Sequence, residues 1–98
     1  MSRALDVLAL ATAAIKFAHA STDTAAHREQ LTNAYFDWRE QSGTLGTHIT
    51  RGDENWVEMM TATNEEFRLW TNAKSREHRA KKKLIALAGK AEREGGTQ

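Results

Sequence analysis

The chain has 98 residues, a formal net charge of +1, 40% hydrophobic and 28% charged residues, and neither cysteine nor proline. That is one small domain's worth of sequence. It excludes a disulfide scaffold, a thiolate metal centre, a cysteine nucleophile and a proline-rich or collagen-like class. Sixteen alanines favour helix over strand and point to an all-α fold.

The first twenty residues carry weak export features. Arg3 is a basic start, Val7 to Ile15 is apolar apart from Thr12, and Ala18-His19-Ala20 has a small-x-small form. Asp6 and Lys16 disagree with that pattern. The expected location is therefore cytoplasmic, with export through signal-like residues 1–20 as the alternative. The uninterrupted apolar run falls short of the ~20 residues that cross a bilayer, so no membrane span is expected.

Two long segments lack a breaker. The expected layout is one domain over 1–98, with a helix over 3–41, a loop over 42–54, a helix over 55–92 and a frayed tail over 93–98. Ser2 is placed to cap the first helix, and Gly43 to take the left-handed conformation after it. Asn55-Trp56-Val57-Glu58 resembles a capping box with Asn55 as the cap.

The first helix has a coiled-coil-like heptad. One position holds Leu10, Phe17, Thr24, Leu31 and Trp38, and the position three residues on holds Ala13, Ala20, His27 and Ala34. Alternation of large residues with alanine allows a partner helix close approach. The phase survives Ser21-Thr22-Asp23-Thr24, which is still the expected place for a kink. The second helix carries a stripe of Trp56, Met60, Thr63, Phe67 and Trp70. Apolar character then lapses until Leu84, Ile85 and Leu87.

Folding these helices into an antiparallel hairpin about Thr47 sets Trp38 against Trp56, Tyr35 against Met59 and Met60, Thr24 against Trp70, and Leu10 against Leu84. One partner helix cannot cover the start of the first helix, because Leu5, Val7, Leu8 and Ile15 leave the stripe. Self-association into a homo-oligomer, a dimer or higher, completing a four-helix bundle, is the expected remedy.

Charge is uneven. Residues 1–70 carry net −4 and residues 71–98 carry net +5. The dense part is Lys74, Arg76, Arg79, Lys81, Lys82 and Lys83, with only Glu77 opposing. It reads either as a solvated helix face or as a nucleic-acid contact.

Other constellations are sparse. His19, Asp23 and His27 have the i, i+4, i+8 spacing of a weak helical metal site, or of a polar layer in the seam. Arg51-Gly52-Asp53 spells an adhesion tripeptide, although Gly52-Asp53 also suits the approach to a helix. No catalytic motif is present, so a non-enzymatic chain without cofactor is expected. Tyr35, Phe36, Trp38 and Trp56 gather near the loop, and Phe36 points off the seam. The sequence thus reads as a small interaction protein of accessory, scaffold or inhibitor type, of bacterial or phage character. Its protein-binding residues are Phe36, Trp38, Trp56, Leu5, Leu8 and Ile15. Nucleic-acid binding through Lys74–Lys83 is the alternative.

Overall fold

The computed structural model describes residues 3–95 and is helical apart from one loop. Helix α1 spans Arg3–Ser42, α2 spans Glu54–Ala62 and α3 spans Asn64–Gly95. Helix α1 runs back along α3, forming a hairpin of 65 × 19 × 18 Å. Its radius of gyration is 20.3 Å, against about 13 Å for a compact domain of this length. The expected Ser2 cap and residues 96–98 of the expected tail lie outside the described residues. Residues 93–95 are helical, which extends α3 beyond the expected end at 92.

Helix α1 is continuous through Ser21–Thr24. Thr22 Oγ1 donates to Ala18 O and Thr24 Oγ1 donates to Ala20 O, each at 3.0 Å. The hydroxyls that compete for backbone groups are therefore satisfied inside the helix.

The less exposed side of α1 follows the heptad. Leu10, Ala13, Phe17, Ala20, Thr24, His27, Leu31, Ala34 and Trp38 all lie on it, with Ala13 and Leu31 buried. Ala73 on α3 is buried to 1% exposure.

The second arm departs from the expected single helix. Thr63 separates α2 from α3, with φ −108° and ψ 17°. Its hydroxyl donates to Met59 O at 2.7 Å. Thr22 and Thr24 make the same back-bond inside a continuous helix, so the break at Thr63 lies in its backbone angles and not in its hydroxyl. The backbone bonds Thr63 N to Met59 O and Phe67 N to Thr63 O, both 3.0 Å, carry the chain across the bend.

Beyond the bend the seam does not lapse. It continues as Glu66, Trp70, Ala73, Glu77, Ala80, Leu84 and Leu87, at alternating spacings of four and three. Phe67, expected in the stripe, is 36% exposed. It packs edge-on against Trp70 instead, with ring centroids 5.9 Å apart.

One contact fixes the pairing near the loop. Tyr35 Oη reaches Met60 Sδ at 3.6 Å, as the hairpin implies. Trp38 shares a cleft with Ala62, Thr63 and Glu66. Ala13 shares another with Leu87.

The loop is built by capping. Gly43, at φ +74°, follows α1. Thr44 N donates to Arg39 O at 2.9 Å and Gly43 N to Glu40 O at 3.2 Å. This paired closure satisfies carbonyls that a helix end leaves open. Arg39 Nη2 then donates to the carbonyls of Thr44, at 3.0 Å, Leu45 and Thr47, pinning the loop to the helix.

At the far side of the loop the cap is Asp53 rather than Asn55. Asp53 Oδ1 accepts from Trp56 N at 2.8 Å, and Oδ2 accepts from Thr50 N at 2.9 Å. With both oxygens committed to backbone, the Arg51-Gly52-Asp53 triplet has a local structural job.

The Trp56 and Thr50 amides hold the Asp53 carboxyl below its ordinary range. A depressed folded-state value means that the cap adds stability above the usual aspartate pKa of about 3.9. That contribution is lost as pH falls through the lowered value. Asp53→Asn keeps a neutral acceptor at every pH. Thermal melts should therefore show a shallower acid-side decline for Asp53→Asn than for the parent. Superimposable acid limbs would show that the cap carries no such linkage.

Candidate functional site

Three exposed surfaces stand out along the rod. The first is the terminal end. Leu5, Val7, Leu8 and Ile15 are between 57% and 65% exposed. Ala4, Ala9, Ala11, Ala14 and Ala18 are exposed among them. Ile85 of α3 is 60% exposed on the same half of the hairpin.

A cleft of about 370 Å³ opens there between Leu5, Leu8, Ala9, Thr12 and Ala13 of α1 and Leu87 of α3. Lys16 and Lys83 also line it, one from each helix. Apolar floor with cationic edges is the anatomy of a contact surface: the floor gains from losing water and the charged edge stays wet.

The same stretch is more hydropathic than its uninterrupted apolar run suggests. Helix α1 holds an 18-residue window with mean hydropathy 1.3 and only 6% of its residues buried. By length and composition it is apolar enough to cross a membrane. Counting only uninterrupted apolar residues understates this, because Asp6 and Lys16 interrupt the run without dominating it.

The second surface is the loop end. Phe36 is 54% exposed, whereas Tyr35, Trp38 and Trp56 are half-buried. This is the separation that helical phase implies. Burial also pushes the Tyr35 phenol up. Leu45 and Val57, at 47% and 50% exposed, extend the patch beyond the aromatics. Trp56, Val57 and Met60 line a shallow groove with Thr61 and Asn64. Val57 is legible from the sequence only by the same phase argument that sets Phe36 apart.

The third surface is basic. Lys74, Arg76, Arg79, Lys81, Lys82 and Lys83 are all exposed. Lys74 Nζ lies 3.6 Å from the centroid of the Trp70 ring, a cation–π contact. Among the described residues none of these six forms an ion pair with a carboxylate.

The histidine set does not converge. His27 sits in the seam, with a buried Nδ1 that has no hydrogen-bond partner, while His19 and Asp23 are exposed. Residues four apart drift about 40° around a helix, so three in a row cannot share one direction closely. Among the described residues no group of three histidines or carboxylates is placed to hold a metal ion.

Comparison with known proteins finds no matching family model, no similar curated protein and no similar solved structure.

Proposed function

We propose that this chain is a non-enzymatic interaction protein that pairs with a second copy through the first third of α1 and meets a partner protein with its loop end. The observation that carries the reading is unspent apolar surface. The chain exposes 7216 Å². A compact protein of 11.0 kDa exposes about 5600 Å². That surplus is polar and apolar surface together and follows from the rod shape; the apolar part that carries the reading is Leu5, Val7, Leu8 and Ile15, 57% to 65% exposed.

A hydropathic stretch of helix of which only 6% is buried is better served by an oligomer than by a lone hairpin. A second copy fits because the floor of the patch is apolar: Leu5, Leu8 and Ile15 can face their own equivalents across a two-fold axis while Lys16 and Lys83 stay at the wet edge. The product is a four-helix bundle over that part of the rod. It would serve as an accessory, scaffold or inhibitor acting by contact.

Association of this kind makes stability depend on concentration. The melting temperature of the full chain should rise as concentration is raised from about 1 to about 100 μM. A melting temperature independent of concentration would count against the dimer.

The loop end is assigned to the partner protein because Phe36 gains nothing from the hairpin. Burying an exposed phenylalanine is worth about 1.5–3 kcal/mol, the scale of a binding hot spot. Phe36→Ala should weaken capture of the partner from host extract and leave the melting temperature nearly unchanged. A substantial drop in melting temperature would place Phe36 in the oligomer core instead.

A further inference from the structure

We propose that the outer surface of α3 between Thr71 and Lys83 binds duplex DNA by lying in its major groove. The proposal does not rest on self-association: it uses the outer side of α3, which borders the terminal cleft only at Lys83 and Lys16. Its first support is charge without neutralisation. Lys74, Arg76, Arg79, Lys81, Lys82 and Lys83 are exposed and form no ion pair among the described residues. Glu77, the one carboxylate in this stretch, sits in the half-buried seam.

The helix dipole does not account for the cluster. Its effect fades within the last turn, and α3 continues for twelve residues after Lys83, to Gly95.

The second support is the arrangement around the helix. Ala73, Glu77, Ala80 and Leu84 mark the inward side of α3. At about 100° per residue, Lys74 and Lys81 then fall on one flank of the outward side, and Arg76, Arg79 and Lys83 fall toward the other. Lys16 of α1 adds a cation on the Lys83 flank, since both line one cleft. Between the flanks the ridge presents Thr71, Ser75, His78 and Lys82. Thr71, Ser75 and His78 form a shallow groove with Lys74 and Arg79.

Cations on both flanks suit a helix that must reach phosphates on both walls of a groove. A flat anionic membrane would engage one side only. Hydroxyls, an imidazole and an ammonium on the ridge are hydrogen-bonding groups of the kind that read base edges. The B-form major groove, about 12 Å wide, admits an α-helix. The deep, narrow major groove of A-form RNA does not. The stretch Lys74–Lys83 is about 15 Å long, enough to follow the groove for several base pairs.

The test is fluorescence anisotropy of the full chain with a labelled 20-base-pair DNA duplex, about 50 to 200 mM in salt. Duplex RNA of the same sequence and anionic vesicles are run alongside. The expected result is binding to DNA whose logarithmic salt slope approaches about five, for six neutralised phosphates. Two variants separate the flanks: Lys74→Gln with Lys81→Gln, and Arg76→Gln with Arg79→Gln and Lys83→Gln. Each should flatten the slope, by up to about two and about three respectively, with far-ultraviolet circular dichroism unchanged. No binding at about 50 mM salt would overturn the proposal. So would a slope that responds to one flank only, or binding of RNA or vesicles as tight as that of DNA.

Discussion

Ile15→Glu is expected to split the assembly into monomers or to unfold it. In the single chain Ile15 is 57% exposed, and it lies off the α1–α3 seam. If the protein worked as a monomer, a glutamate there would be a surface change, worth within about 0.5 kcal/mol. In the proposed dimer the same carboxylate enters a water-excluded interface opposite its own copy. An uncompensated charge in such a place costs several kcal/mol. The two accounts therefore differ by a large factor at one position. The check is a sedimentation-velocity comparison of parent and variant. A variant that sediments like the parent, with unchanged melting, would remove Ile15 from any interface.

Leu31→Ala should produce the largest loss within the hairpin itself. Leu31 is 5% exposed and is the largest buried side chain among the described residues. It sits in a seam whose other buried members, Ala13, Thr63 and Ala73, are small. Leucine-to-alanine changes in cores cost about 2–5 kcal/mol. The lower half of that range fits here, because a seam one layer thick lets water reach the gap. Against a total stability of about 5–15 kcal/mol, that is a large fraction. Urea unfolding should show a lower midpoint with little change in slope. A midpoint unchanged from the parent would mean that Leu31 does not hold the helices together.

Much of this architecture is legible in the residues. The α1 seam can be read because Leu10, Phe17, Leu31 and Trp38 recur every seven positions with Ala13, Ala20 and Ala34 between them. The turn at Gly43 can be read because only glycine takes its positive φ without strain.

The second arm is harder for three physical reasons. Threonine is only a mild breaker, so nothing at Thr63 announces the break between α2 and α3. Asn55 matches a capping pattern, but Asp53 offers two oxygens to two amides and sets the start of α2. Between Trp70 and Leu84 the seam of α3 is made of Ala73, Glu77 and Ala80, none of them large and apolar. A search for large apolar residues therefore sees a gap.

The surfaces follow the same division. Leu5, Leu8, Ile15 and Phe36 depart from the α1 repeat and are exposed, as their phase implies. The meeting of Lys16 with Lys83 depends on helix register, which loop length alone sets only to within a turn or two.

The central claim is that the exposed apolar end of α1 belongs to an interface between two copies. Light scattering coupled to size exclusion, on the full chain at micromolar concentration, tests it most directly. The account predicts a mass at least twice the 11.0 kDa of one chain. A folded, helical species with the mass of a single chain would contradict it.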